Sequence, residues 1–220
     1  AGINLVEVWM SPWWLAMEWI PDAPGNHGLG YFNPWRAWML DRLLEWADEY
    51  DLQIILVLNN HGKFSSWIDS DWARSPFNKA NGGPFTIPQQ YFADPEGQVL
   101  FRRLADYLVA RWGYSPRLLG WKLFTEIDLT GNNRESYKEP AVAEWHRQAG
   151  AYLKKIDPWP HLVTTHWATS YQLAEASPEL AGLPELDMLT LDIYYNSSGA
   201  DQLFSWMVGT EGFLRRIKKP

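Results

Sequence analysis

Polar and ionisable side chains stand at the ends of several apolar runs in this sequence. The clearest case is the run 119–125, which is followed by Glu126 and Asp128. Because parallel strands place their carboxyl ends on one face of a sheet, side chains at these ends are expected to share one concave site. The strand-end candidates are Asn60, His61, Glu126, Asp128, His166, Trp167, Asp192 and Tyr194.

A carboxylate at a strand end can act as a general acid or base, and Glu126 is the strongest candidate for that role. Two carboxylates that flank a glycosidic bond, one of them held protonated, hydrolyse the bond without a cofactor. The sequence therefore favours carboxylate chemistry on a sugar and predicts no cofactor.

Two other kinds of catalytic site have weaker support. Glu126, His61, His166 and Asp192 are residue types that bind metals, but no two of them have the close spacing of a helical or hairpin metal motif. A Ser-His-Asp hydrolase would need a Gly-x-Ser-x-Gly elbow, which the sequence lacks. We therefore predict no metal site.

Composition excludes several other classes of protein. With 220 residues, 46% of them hydrophobic, the chain is predicted to form a single domain over 1–220. The net charge of -7 argues against nucleic-acid binding, and the absence of Cys excludes a thiolate zinc site or a Cys nucleophile. No run approaches the roughly 18 apolar residues of a membrane span, and residues 1–10 lack the pattern of a signal peptide. The oligomeric state stays open.

Tryptophan is the strongest compositional signal, with 15 Trp beside 10 Tyr and 9 Phe. Aromatic rings combine flat apolar faces with polar edges, which suits sugar rings as well as protein cores. Most of these residues are expected to be structural, with a minority lining a groove. Trp13, in the turn after the first apolar run, is the groove-lining candidate.

Hydrophobic patterns predict strands that alternate with helices. Asn33-Pro34 and Asp94-Pro95 each combine a capping residue with a proline suited to the first helical turn. In the first helix an apolar stripe is predicted from Trp35, Met39, Leu43 and Ala47, with Leu40 and Leu44. Strands are expected over 2–10, 53–58, 119–126, 161–167 and 188–195, and helices over about 34–50, 95–112, 139–156 and 201–217.

This alternation predicts an α/β fold with a parallel sheet and right-handed crossovers. A doubly wound open sheet and part of an eight-stranded barrel both fit the element order. No Gly-rich phosphate loop follows any strand, which weakens the doubly wound alternative. Strand ends carry polar or aromatic residues instead, and this pattern favours an incomplete (β/α)8 TIM barrel.

The motif from Trp121 to Thr130 resembles the fourth-strand motif Trp-Glu-Leu-Phe-Asn-Glu of clan A glycoside hydrolases. Within that clan the chain resembles bacterial proteins similar to family 5 cellulases and mannanases. Segment 2–14 resembles the second strand of these enzymes, and 58–65 resembles the third with its site His. Loop segments 78–84 and 92–96 are also similar, so nearly the whole chain takes part in the resemblance.

The resemblance implies a retaining hydrolase of β-glycosidic bonds in a polysaccharide or oligosaccharide, with Glu126 as the acid/base. Thr125 stands at the place of the substrate-contacting Asn, and His61 and Tyr194 are expected to line the sugar subsite. The carbohydrate-binding candidates are Asn60, His61, Thr125, His166, Trp167, Asp192, Tyr194 and Trp13. Family resemblance also implies secretion or a periplasmic location.

Several positions depart from the family pattern. Glu7 stands where an Arg is usual, Lys122 replaces a Glu, Thr125 replaces an Asn, and Asp192 replaces a His. Glu7 and Lys122 lie on alternate strands, so we expect a charge-reversed pair in one barrel layer. The visible strands correspond to about strands two to six, and the nucleophile is expected on a strand beyond Pro220. The alternatives are a non-catalytic carbohydrate-binding relative and an inactive fragment.

Overall fold

The computed structural model describes residues 2–168, 171–192 and 200–219, which form a parallel sheet covered by helices. The strands are β1 (Leu5–Trp9), β2 (Gln53–Asn60), β3 (Leu118–Thr125), β4 (Leu162–Trp167) and β5 (Met188–Leu191). The helices are α1 (Pro34–Glu49), α2 (Gln90–Ala93), α3 (Pro95–Trp112), α4 (Pro140–Ile156), α5 (Tyr171–Glu175), α6 (Pro178–Ala181) and α7 (Ala200–Ile217).

The strands pair in chain order, β1-β2-β3-β4-β5, and every pair is parallel. A doubly wound sheet reverses its strand order at a switch point, whereas a barrel adds each strand beside the previous one. Consecutive order therefore identifies part of a (β/α) barrel, as the sequence predicted. The carboxyl ends of all these strands lie at the same edge of the sheet.

Capping residues begin two of the long helices where the sequence predicted them. The side chain of Asn33 accepts hydrogen bonds from the backbone N–H groups of Trp35 and Arg36. The side chain of Asp94 accepts one from Glu96 N at 2.9 Å. Each cap pairs an orphan amide of the first turn, which is why both helices begin at the following proline.

The predicted apolar stripe of α1 is only partly right. Ala37, Leu40, Leu44 and Ala47 are buried against the sheet, but Trp35 is 60% exposed. It stacks on Trp38 with 4.6 Å between the ring centroids. Helical spacing alone does not show which apolar side chains turn inward, because Trp35, Trp38 and Trp46 give α1 a second, exposed apolar face.

The long loop 63–93 contains short helical turns that hydrophobic periodicity does not reveal. These are the 3₁₀ turns Trp72–Arg74 and Lys79–Asn81 and the one-turn helix α2. Helices α5 and α6 were missed for the same reason, since an element of four or five residues is shorter than the repeat that marks a helix in sequence. Within the described residues, no helix has the length and apolar character needed to cross a bilayer.

An aromatic hub of Phe64, Tyr91, Phe124 and Trp145 lies under the carboxyl ends of β2 and β3. The ring centroids of Phe64 and Phe124 are 5.6 Å apart, and Tyr91 stacks on Phe64 at 4.1 Å. Trp145 of α4 packs on Phe124 at 5.4 Å, and all four side chains are buried. The hub therefore joins the two strand ends that carry His61 and Glu126.

Candidate active site

Glu126 follows the last residue of β3, as predicted, and has an unusual backbone conformation. Its φ and ψ angles are 54° and 51°, in the left-handed region that non-glycine residues rarely occupy. That conformation costs about 1–2 kcal/mol for an L-residue. A neighbouring 3₁₀ turn, Ile127–Leu129, begins here, and Leu129 N donates to the carbonyl of Glu126 at 2.9 Å. Strain of this kind clusters at functional sites, where surrounding contacts hold it in place.

The carboxylate of Glu126 contacts the imidazole of His61, which follows β2. Oε2 of Glu126 lies 2.7 Å from Nδ1 of His61 in an ion-pair contact whose angle is not that of a hydrogen bond. Both side chains are largely buried, with 13% of Glu126 and 8% of His61 exposed. On the other side of the ring, Nε2 lies 3.7 Å from Oδ2 of Asp69. The structure thus brings together two of the residues predicted to form the site.

His166, at the end of β4, contacts Glu126 from the side of β3 that faces away from His61. Its Nδ1 accepts a 3.0 Å hydrogen bond from the backbone N–H of Glu126, and the hydroxyl of Thr125 lies 3.1 Å from the same nitrogen. Nε2 lies 3.1 Å from Oδ1 of Asp192, after β5. The predicted strand-end residues of β3, β4 and β5 therefore form one contiguous network.

Asp128 joins the loops after β3 and β4. Its Oδ1 accepts a 2.7 Å hydrogen bond from the backbone N–H of Ala168. Burial raises the pKa of the Asp128 carboxyl, and the nearby charge of Glu126 raises it further, whereas the Ala168 hydrogen bond and His166 oppose the rise. Asp128 acts as a brace for the loop that carries Glu126.

The expected charge-reversed pair is present. Nζ of Lys122 forms an ion pair with Oε1 of Glu7, across the intervening strand β2. Lys122 is 1% exposed. Burial lowers the pKa of its ammonium group, while the carboxylates of Glu7 and Asp192 raise it. Glu7 and Lys122 thus occupy the same layer of the barrel interior, below the site.

The remaining residues that the sequence predicted to bind substrate differ in how exposed their side chains are. Thr125 and Trp167 are fully buried, so their side chains do not reach solvent. Asn60 is also buried, and its Oδ1 has no hydrogen-bond partner among the described residues. Trp13 is 67% exposed on the surface. Tyr194 lies outside the described residues.

Sequence reasoning missed the acidic residues that approach His61 from the loop after β2. Asp69 has a left-handed φ of 42°, and Asp71 N donates to the carbonyl of Gly62 at 2.9 Å. Burial raises the pKa of the Asp71 carboxyl, against the opposing charges of Arg74 and His61. A Ser- and Asp-rich loop gives no periodic signal, so only the fold shows that it folds back on His61.

Lys63, in the same turn, is a second residue that the pattern did not reveal. Its Nζ is buried and donates to the carbonyl of Leu58 at 3.1 Å. Burial lowers the pKa of Lys63 to about 7, despite the nearby carboxylate of Glu18. Glu18 itself accepts a 2.6 Å hydrogen bond from Arg103. This buried cluster supports the turn that presents His61.

A separate cleft of about 390 Å³ lies at the amino-terminal end of β4, away from the strand ends that carry the site. Its lining includes Trp121, Asp157 and His161. Oδ2 of Asp157 accepts 2.7 Å hydrogen bonds from the indole N–H of Trp121 and from Nδ1 of His161. These bonds connect the end of α4 to the sheet. Barrel enzymes keep their chemistry at the carboxyl ends of strands, so this cleft is not the candidate active site.

The site residues are also of types that can bind metal ions. Over residues 2–168, 171–192 and 200–219, no group of three or more His, Asp or Glu side chains is arranged to hold a metal ion. Glu126 instead contacts His61 through its carboxylate and His166 through its backbone N–H. Their arrangement suits proton transfer and hydrogen bonding to a polar substrate.

Comparison with known proteins gives matches in structure only. No protein-family model and no curated protein matches the sequence. The glycoside hydrolase family 5 mannosidase from Rhizomucor miehei superposes with a TM-score of 0.70 at 18% identity, covering 100% of this chain and 58% of the mannosidase. The chain therefore has part of a (β/α)8 barrel fold. That fold confirms the predicted incomplete TIM barrel and, at the level of structure, the resemblance to clan A enzymes.

Other glycosidases show the same barrel. Endo-glycoceramidase II from Rhodococcus sp. matches with a TM-score of 0.61 at 12% identity, over 100% of this chain and 57% of its own. The beta-glucosidase from Thermotoga maritima matches with a TM-score of 0.53 at 11% identity, over 88% of this chain and 51% of its own. This chain therefore spans little more than half the length of the glycosidases whose barrel it shares.

Proposed function

We propose that this chain is part of a retaining β-glycoside hydrolase in which Glu126 is the acid/base. The observation that supports this most is the position of Glu126 at the end of the central strand, where its backbone is strained. Its carboxylate contacts His61, and its backbone N–H donates to His166. Carboxyl ends of barrel strands are where TIM-barrel enzymes carry their catalytic residues. The structural neighbours named above are glycosidases, which supports the choice of substrate class.

In the proposed mechanism Glu126 begins as a carboxylic acid and donates its proton to the glycosidic oxygen. A second carboxylate attacks the anomeric carbon, and the leaving sugar departs as a covalent glycosyl-enzyme forms. Glu126, now a carboxylate, removes a proton from water, which attacks the same carbon and releases the second carboxylate. His61 contacts the Glu126 carboxylate at 2.7 Å, so it can exchange a hydrogen bond or a proton with it between the two steps.

The second carboxylate is proposed to come from a strand beyond these residues. In a retaining enzyme the two carboxyl groups lie about 5–5.5 Å apart. Asp192 follows β5, two strands away from Glu126, and its Oδ1 contacts Nε2 of His166. We therefore assign Asp192 to His166, and the nucleophile to a part of the barrel that the chain does not span.

The test is hydrolysis of aryl β-glycosides and of β-linked gluco- and manno-oligosaccharides. It compares the 220-residue chain with a form extended along its own coding sequence. Each form is assayed both unsubstituted and as the Glu126→Gln variant. We expect the extended form to be active. Its Glu126→Gln variant should lose about 10²–10⁴-fold in kcat on substrates with poor leaving groups. Dinitrophenyl glycosides need no acid for departure of the leaving group, so the variant should release a burst of dinitrophenol and then turn over slowly.

Glu139→Gln is the matched control, because Glu139 is exposed and its side chain makes no capping hydrogen bond. It should leave all rates unchanged. Activity that persists in Glu126→Gln on poor leaving groups would contradict the proposed acid/base. Azide should restore turnover in Glu126→Ala and yield a β-glycosyl azide, whereas an α-azide would contradict the assignment of Glu126 as the acid/base of a retaining enzyme.

A non-catalytic carbohydrate-binding role is the second candidate. It is favoured by the Glu7–Lys122 ion pair, which stands where the resemblance implies an Arg that supports the nucleophile. It is also favoured by the complete burial of Thr125, at the place of a substrate-contacting amide. Calorimetric binding of the same oligosaccharides, without turnover in any form of the chain, would support this role over hydrolysis.

A further inference from the structure

The backbone pairing between β3 and β4 stops before it reaches Glu126, and side chains take its place. The backbone register pairs Gly120 with Leu162 and ends at Lys122 with Thr164. Beyond that point the strand ends are joined through side chains, and His166 lies at the centre of these contacts. On the β4 side, the backbone N–H of Glu126 is therefore bonded to an imidazole ring and not to the backbone of the neighbouring strand.

The hydrogen bond to Glu126 determines the protonation of His166. A backbone N–H can only donate, so Nδ1 of His166 must offer its lone pair at 3.0 Å. A neutral imidazole then carries its proton on Nε2, which faces Oδ1 of Asp192 at 3.1 Å. The two neighbours of the ring thus select one tautomer of His166.

We propose that neutral His166, in its Nε2–H form, is a positioning residue that holds Glu126 in the left-handed conformation and so aims its carboxylate at His61. Loss of the Nδ1 acceptor would leave the Glu126 amide without this partner and release the strained turn. Asp192 supports the arrangement by facing the Nε2 proton. The inference deepens the proposed function, on which its catalytic part rests.

A direct test needs no catalytic activity. In uniformly ¹⁵N-labelled, deuterated protein, we expect a scalar coupling across the hydrogen bond between the Glu126 amide nitrogen and Nδ1 of His166. Nδ1 should also show the chemical shift of an unprotonated ring nitrogen. A proton directly coupled to Nδ1 at neutral pH, or no coupling across the hydrogen bond, would overturn the assignment.

The second test separates positioning from general stability by comparing His166→Phe with His146→Gln. His146 is also a buried histidine, but it contacts Val142 and Thr165 and not Glu126. Only His166→Phe should move the Glu126 Cα shift away from its left-handed value. A Glu126 Cα shift that stays left-handed in His166→Phe would contradict the positioning role.

Kinetics in the active extended form complete the test. We expect kcat to fall about 10–100-fold in His166→Phe with little change in KM, the size typical of residues that orient a functional group. If Glu126→Gln abolishes turnover and His166→Phe does not lower it, the positioning role fails and the hydrolase proposal stands. If no form is active but the nitrogen coupling is present, the hydrolase proposal fails and the structural role of His166 stands.

Discussion

Lys122 and Glu7 form an ion pair across β2, with the lysine almost completely buried and the glutamate partly exposed. Removing only the carboxylate leaves a buried ammonium group with less compensation, which is strongly destabilising in protein interiors. We predict that Glu7→Gln lowers the free energy of unfolding by about 1–3 kcal/mol, less than for a fully buried pair because Glu7 reaches solvent. Urea unfolding at pH 7 measures the change.

The double variant Glu7→Gln, Lys122→Met is the companion measurement. It replaces the charged pair with groups of similar size that need no counter-charge, so most of the lost stability should return. A double variant less stable than Glu7→Gln would show that Lys122 stabilises the barrel through contacts other than Glu7.

His146 should make the protein sensitive to acid. It is fully buried, donates from Nδ1 to the carbonyl of Val142 and accepts at Nε2 from the Thr165 hydroxyl. Burial lowers its pKa to about 4, below its ordinary value of 6.5. Between these values the unfolded chain binds more protons than the folded one, so stability present above pH 6.5 is lost as the pH falls toward 4.

This histidine alone should account for a loss of about 3 kcal/mol across that window. The measurement is the free energy of unfolding in urea from pH 7 to 4.5 for the wild type and His146→Gln. The variant should be less stable at pH 7, yet lose less stability on acidification. His27→Gln is the control, because His27 is exposed. Equal pH dependence in wild type and His146→Gln would contradict the prediction.

Gly131 ties the loop after β3 to the turn that carries His61. Its N–H donates to the carbonyl of Phe64 at 2.7 Å, and its φ is 86°. A Cβ at this position would lie 2.1 Å from Cβ of Ser136. We predict that Gly131→Ala destabilises the protein by about 2 kcal/mol or more, since backbone strain and a steric clash add.

Gly82→Ala isolates the backbone part of that effect. Gly82 has a similar φ of 87°, but nothing lies within 4 Å of a Cβ built there. Thermal unfolding of both variants should show the smaller loss in Gly82→Ala. The reverse order would mean that Ser136 moves aside without cost.

Asp128 is predicted to act through an oxygen acceptor and not through its charge. Its Oδ1 accepts from the buried amide of Ala168 at 2.7 Å. Asp128→Ala should cost about 1–3 kcal/mol because that amide loses its partner. Asp128→Asn keeps an oxygen acceptor and removes a carboxylate whose pKa burial raises, so its stability at pH 7 should stay close to that of the wild type. A large loss in Asp128→Asn, measured by urea unfolding, would show that the charge is needed.

Much of the fold was predictable because local signals and global packing agree. Asn33-Pro34 and Asp94-Pro95 begin helices α1 and α3 where the caps predicted. Apolar runs gave the strands, and the polar ends of those runs gave Glu126, His61 and His166, which the structure brings into contact. These signals need only the neighbouring residues in the chain.

The parts that were not predicted depend on contacts between distant segments. Trp35 belongs to an apolar stripe in sequence, and only the direction in which α1 faces the sheet shows that the ring is exposed. Asp69 and Lys63 lie in an irregular turn whose path is set by tertiary hydrogen bonds. The tautomer of His166 likewise follows from a backbone amide forty positions earlier in the chain.

The aromatic hub has a consequence for how this site can diverge. Phe64 and Phe124 contact each other at 5.6 Å, directly below His61 and Glu126. The spacing of these two polar residues therefore depends on two rings that are completely buried. Substitutions at the polar rim should leave the two strand ends in place, whereas substitutions within the hub should move both sides of the site together.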